Sequence, residues 1–385
     1  MDKHTDETGL IPVYGLEDTK HYGYGLSSFL LNNNCIVKNV NSTLTAVERK
    51  KYPTVTKTDE LDSQCIAKVL LDELDTLPNA SSDEIYWTLK QLVKMRKSIV
   101  QNNIEYKNKL HSQLLHHYPN YNKMFFEVDG VTALALWETY PCPTMIMETD
   151  VDEFTDFIKN ASKGKLGFDK VRQIYKVIKE YDIHNYFYQD ERNTIIRMLV
   201  KVIKENNKRI ADMNDEVISV YDKIGKKLHT YPNLDKISGA QILAEVGNIN
   251  RFANSSKLAR YSGIAPIDYS SGNSDVSLRS DFGNRDLNNL IYNLACRSLT
   301  AGKNKDKPIN AIFIEYYYKK RSDGKTKHQA IVCIMRRIVN ILFHMLKYNE
   351  EYISPAELVE KSIHSFNVRQ ENERGKQEQK NKKAS

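Results

Sequence analysis

The chain has little cysteine chemistry to offer. Cys35, Cys65, Cys142, Cys296 and Cys333 lie far apart, form no Cys-x-x-Cys pair, and several fall inside apolar helical runs. That spacing argues against a disulfide framework and reads as reduced structural thiols in a cytosolic protein. Also missing is any apolar run near the roughly 18 residues that a bilayer span requires. The N-terminus, Met1 to Glu7, is polar and acidic rather than basic and then apolar, so neither export nor membrane insertion is expected. No segment repeats in tandem. The last residues, Arg369 to Ser385, have no core formers and are expected to be disordered.

What is present suits a folded protein of two or three domains. Of 385 residues, 41% are hydrophobic, enough to bury real cores. Fifty-six Lys and Arg against 49 Asp and Glu give a net charge of +7, which favours a polyanionic partner, and the excess concentrates between Gly302 and Asn349.

Local pattern then divides the chain. Leu10 to Leu16, Tyr24 to Leu31 and Cys35 to Val40 read as strand, helix, strand, the start of a parallel α/β unit. Apolar residues from Leu61 to Leu74 mark a further helix. A capping box at Ser81 and Glu84 opens a long helix with an apolar seam stepping by three and four from Ile85 to Gln113. A matching seam runs from Ile196 to Ile224, so the two helices are expected to fold back as an antiparallel coiled-coil arm, with Asn103 and Asn206 as polar seam positions. From Tyr231 short helices follow, capped by Ser238, Asn254 and Asn284, with Pro308 opening the next and Ala330 to Leu346 forming the last. The expected division is 1–80, α/β; 81–230, helical arm with an inserted segment; 231–350, all-helical apart from one loop; and 351–385, a basic tail.

Three groups could carry chemistry. Glu17 ends a predicted strand, where open α/β sheets place ligands, and Asp59 and Asp62 lie one helical turn apart. Carboxylates so arranged can bridge Mg²⁺; equally, Asp59 as N-cap and Asp62 at the third helical position would suit the helix dipole without a metal. Ser270-Ser271-Gly272 is ordinary turn chemistry, or an exposed serine able to attack phosphorus if Arg279, Arg285 or a metal meets the developing charge. Lys303, Lys305 and Lys307, with Tyr316 to Tyr318, Lys319, Lys320, Arg321, Lys325 and Lys327, interleave bases and rings as a nucleic-acid contact or as a solvated helix face.

Taken together and in order, these features resemble a known family. Glu17, Lys57-Thr58-Asp59-Glu60-Leu61-Asp62, the two seam helices, Gly247-Asn248-Ile249-Asn250-Arg251-Phe252, Tyr261 to Gly272 and Gly283-Asn284-Arg285-Asp286-Leu287 look like the motif series of transposases of the IS-one-ten family of insertion sequences. The resemblance implies an RNase H-like (RuvC-like) first domain with a four-carboxylate Mg²⁺ site, of which Glu17, Asp59 and Asp62 match three members. It implies Ser271 as nucleophile in the second domain, and DNA strand cleavage and exchange through a phosphoserine link. Element-end and target DNA, a structured guide RNA and a dimeric or tetrameric assembly are the implied partners. The family's first carboxylate lies several tens of residues before the position of Glu17, and only sixteen residues precede Glu17 here, so a partial RuvC-like domain is expected. The family's glycine-rich hairpin is replaced by Pro232-Asn233-Leu234-Asp235-Lys236, and the basic residue before Gly-Asn by the region of Asp281, which removes phosphate contacts. Two other readings stand beside the transposase: a catalytically impaired nucleic-acid-binding remnant, and a metal nuclease that uses water.

Overall fold

The computed structural model describes residues 9–17, 23–52, 58–80, 84–181, 187–264, 267–271, 274–278, 283–300 and 310–354, with 360 and 363; 267–271 and 274–278 are described by their backbone. The described chain is mostly helical with a small parallel sheet, α/β plus mostly α. It forms two compact units, one of residues 1–91 with 217–385, the other of residues 92–216.

In the first unit, β1 (Val13–Glu17) is followed by α1 (Tyr24–Asn32) and by β2 (Ile36–Val40), which lies parallel to β1 with Val13 opposite Ile36 and Glu17 opposite Val40. This is the strand–helix–strand unit expected from the apolar runs. Val37 and Val40 are buried, as suits the β-branched side chains of a covered sheet. On its other side β2 meets the returning chain, where Ala80 donates to Val37 O at 2.8 Å and Asn39 donates to Pro78 O at 2.9 Å. Among the described residues no strand lies on the outer edge of β1. α2 (Ser42–Arg49) leads to α3 (Asp59–Glu73), which rests on β1 where Gly15 leaves room: a Cβ there would stand 2.5 Å from Leu70 Cδ1. The cap of α3 corrects the expectation. Thr58, not Asp59, is the N-cap, its hydroxyl accepting from Leu61 N at 3.2 Å, so Asp59 is the first helical residue. Ser81 and Lys57 lie outside the described residues.

The second unit is built on α4 (Glu84–His117) from Leu92 onward and on α9 (Gln189–Ile224) as far as Glu216; between them lie α5 (Val131–Thr139), α6 (Pro143–Glu148), α7 (Val151–Ala161) and α8 (Phe168–Lys179). Arg96 pairs with Asn214 and, seven residues on, Asn103 pairs with Asn207, seven residues back, so the two helices are antiparallel; Asn102 pairs with Asn206 beside them. The seam asparagines therefore find partners across the interface instead of sitting in a solvated gap. Trp137 is the centre of the aromatic core, packed against Tyr118 and Phe125, with its Nε1 donating to Val128 O at 2.9 Å.

The C-terminal part of the first unit holds α10 (Lys236–Val246), α11 (Ser255–Tyr261), the strands β3 (Ile267–Ser271) and β4 (Ser274–Leu278), α12 (Arg285–Ser298), α13 (Ala311–Ser322) and α14 (Lys327–Tyr348). Asn254 and Asn284 cap as expected, whereas Asp235, not Ser238, caps α10. Pro308 and the expected disordered tail from Arg369 lie outside the described residues; α13 opens on Asn310. The segment expected to be a loop is an antiparallel hairpin with Ser271 opposite Ser274. Its sequence alternates Ile267, Tyr269 and then Val276, Leu278 about Gly-Asn, a pair that two-residue hairpins favour, and this short signal is easily read as a turn alone. α14 is long and apolar enough to cross a membrane by length and composition, contrary to the count of apolar runs. It is instead a core helix: Ile334, Ile338 and Val339 are fully buried, and Arg336 donates to Ser255 O and to Ser256 Oγ at the start of α11.

Candidate functional site

The acidic residues come first in the chain. Glu17 is the last residue of β1 and half-buried; Asp59, at the start of α3, is exposed, and its backbone carbonyl accepts from Ser63 Oγ at 2.6 Å. Asp62, one turn later, is held by Arg49, the last residue of α2, whose Nε donates at 2.7 Å while Nη2 completes the ion pair. A guanidinium thus balances the Asp62 carboxylate. Among the described residues no group of three or more His, Cys, Asp or Glu side chains comes together to hold a metal ion. As placed, Glu17, Asp59 and Asp62 do not by themselves make a divalent-cation site: Arg49 already balances the charge of Asp62, and among the described residues no third carboxylate converges on it.

The hairpin is positioned very differently, by a tight closure of its two feet. Before it stand Tyr261, Ser262 and Gly263; after it stand Gly283 and Asn284. Asn284 N donates to Tyr261 O at 2.7 Å, and Asn288 Nδ2 donates to Ser262 O at 2.8 Å. Gly283 has φ +128, and a Cβ on it would stand 2.5 Å from Gly263 N, so the backbones meet where no side chain fits. The Tyr-x-Gly and Gly-Asn motifs, twenty residues apart in sequence, are one structure. Asn284 also caps α12, its Oδ1 accepting from Leu287 N at 2.9 Å. Its Nδ2 donates to Glu245 Oε2 at 2.7 Å and to the Tyr261 hydroxyl at 3.2 Å. Lys90 Nζ lies 3.7 Å from the same Glu245 oxygen, and Arg251 stacks on both the Tyr261 and Phe252 rings. Burial pushes the Tyr261 hydroxyl's pKa up, but the neighbouring Arg251 and Lys90 charges and the Asn284 hydrogen bond outweigh it, and the net direction is down. Glu245 and Lys90 were not singled out from sequence. A usable signal was there: Glu245 is a carboxylate within the apolar run Ile242 to Val246.

Residues 3–119 match a family model described as Transposase, and residues 225–309 match one described as Transposase IS116/IS110/IS902 family. The chain is 24% identical over 310 residues to the insertion element IS116 44.8 kDa protein of Streptomyces clavuligerus, covering 78% of this chain and 73% of that protein. It is 22% identical over 307 residues to the insertion element IS110 43.6 kDa protein of Streptomyces coelicolor, covering 79% and 74%. A 26% identity over 128 residues links it to the pilin gene-inverting protein of Moraxella bovis, over 32% of this chain and 37% of that one. This chain belongs to the IS110 family of transposases. The first matched region contains Glu17, Asp59 and Asp62; the second contains the hairpin, both its feet and Glu245.

Within this transposase-family chain the basic residues divide by what they touch. Lys320 pairs with Asp323 at 2.8 Å and lies over the Tyr316 ring, which Arg337 covers at 3.8 Å. Arg321 donates to Lys325 O at 2.5 Å and closes the turn into α14. Lys319, Lys327 and Arg285 are exposed and Lys325 partly so. Arg279, Lys303, Lys305 and Lys307 lie outside the described residues. At the site of the family's glycine hairpin, Asn233 takes the left-handed conformation with φ +61, so asparagine supplies the turn that glycine would. The turn borders an open cleft of about 630 Å³ that is also lined by His229, Tyr231, Arg297 and Thr300.

Proposed function

We propose that this family member cuts and rejoins DNA strands with Ser271 as the nucleophile. The observation that carries the reading is the position of Ser271: it is the last residue of β3, at the turn end of a hairpin whose two feet are locked together by Gly263, Gly283 and Asn284. A nucleophile needs to be held at one place relative to its target, and a short hairpin on a closed base does this better than an open loop. The Ser271 oxygen attacks the scissile phosphorus and loses its proton; the bond from phosphorus to the leaving sugar oxygen breaks, and that oxygen takes up a proton. The phosphoserine diester keeps the bond energy, so a hydroxyl from another strand can reverse the step without ATP. Arg279 and Arg285 are the proposed charge partners of the phosphate. The described acidic residues do not by themselves form a Mg²⁺ site.

The proposed partners are element-end and target DNA, a structured guide RNA and further copies of the chain. Support comes from the net charge of +7 and the exposed Lys319, Lys327 and Arg285. The antiparallel α4 and α9 are proposed as a coiled-coil arm, and β1-α1-β2-α3 as part of a RuvC-like domain. One observation favours a second reading, a catalytically impaired nucleic-acid-binding remnant: Asp62 is occupied by Arg49. Incubation with element-end DNA and guide RNA separates the two. The transposase forms a covalent protein–DNA adduct that Ser271→Ala abolishes, whereas the remnant binds without forming one.

A further inference from the structure

At the Tyr261–Asn284 closure lies a buried polar set that the serine chemistry does not use. Glu245 is 8% exposed on a helix face otherwise made of Ile242, Leu243 and Val246, and an unpaired carboxylate there would be costly. It is satisfied by one amide and one cation. Asn284 brings the amide and, through its other contacts, ties together both feet of the hairpin and the start of α12. Lys90 brings the cation from the early turns of α4, the next helix in the chain after the β1-α1-β2-α3 segment. The Lys90 and Glu245 side chains are only 24% and 9% exposed, so solvent screens the pair less than it would a surface bridge.

We infer that Glu245, Asn284 and Lys90 are positioning residues for Ser271, and that the Lys90–Glu245 ion pair is the link through which the N-terminal segment holds the serine hairpin in place. The inference rests on the transposase reading of Ser271. Its geometry is specific: Asn284 has one amide group and gives it to both Glu245 and Tyr261, so displacing Glu245 frees that amide and loosens the feet. Arg251, stacked on the Tyr261 ring, fixes the other wall of the same set.

The test is hydrogen–deuterium exchange of β3 and β4 in the full chain, read beside the yield of the Ser271 adduct. With Lys90→Met, exchange in the two strands is expected to rise about tenfold while exchange in α14 stays as in the unaltered chain. Adduct yield falls in parallel. Lys90→Arg restores both, Glu245→Gln repeats the loss, and the double variant Lys90→Met/Glu245→Gln is no worse than the weaker single one. Unchanged hairpin exchange in Lys90→Met overturns the inference, as does a loss of protection spread equally over α14, which marks general destabilisation. If the unaltered chain forms no adduct, the transposase reading fails by itself, and the exchange comparison still decides whether the pair holds the hairpin.

Discussion

At the scale of single residues, the most constrained position described is Gly283. Two independent facts restrict it: a positive φ that side-chain-bearing residues avoid, and a backbone neighbour where a Cβ would have to stand. Gly283→Ala is therefore expected to cost about 2–4 kcal/mol, read as a lower urea midpoint at unchanged slope. Gly263→Ala belongs to the same contact, and the two losses should be less than additive because either one opens it. The acidic residues show the opposite situation. Asp59 and Asp62 were legible in sequence as an acidic helix start, but their use was not, because Arg49 reaches Asp62 from a different helix and no spacing rule reports that pairing.

At the scale of elements, what could be read depended on whether the signal was local. The β1-α1-β2 unit, the long helices α4 and α9 and the caps at Asn254 and Asn284 each rest on residues within a turn or two of one another, and each was visible. The serine hairpin reads as a loop in sequence because its strands are short and its feet meet only across twenty residues. The helical unit of residues 92–216 yields a pH prediction. His117 is buried beside Pro141, and burial, helped by the Arg192 and His116 charges, lowers its pKa despite the backbone contact that raises it. A histidine held neutral in the fold contributes stability that is complete above its unfolded pKa of about 6.5 and is lost as pH falls below that value, at up to about 1.4 kcal/mol per pH unit. Melting followed by circular dichroism from about pH 7.5 to about pH 5.5 should show this loss, and His117→Gln should flatten the curve over that range.

At the scale of the whole molecule, the two family matches lie in the same order as the acidic segment and the serine hairpin; the first runs into the helical unit of residues 92–216 and the second begins after it. On the proposed reading, the net charge of +7 with exposed lysines at the end of α13 and the start of α14 predicts binding to nucleic acid that weakens steeply with salt. Affinity should fall by on the order of tenfold or more from about 50 to about 200 mM salt, and Lys319→Ala or Lys327→Ala should each reduce the log–log slope by about one. Lys320→Ala should change the slope less, since Asp323 already neutralises that charge. The measurement that bears most directly on the proposed function is denaturing electrophoresis of the chain after incubation with labelled element-end DNA and guide RNA. A labelled band at the mass of the protein that survives denaturation, and disappears in Ser271→Ala while salt-dependent binding persists, is the expected result. A chain that binds the same DNA and RNA but forms no such band, or forms it equally well with alanine at position 271, contradicts the serine mechanism.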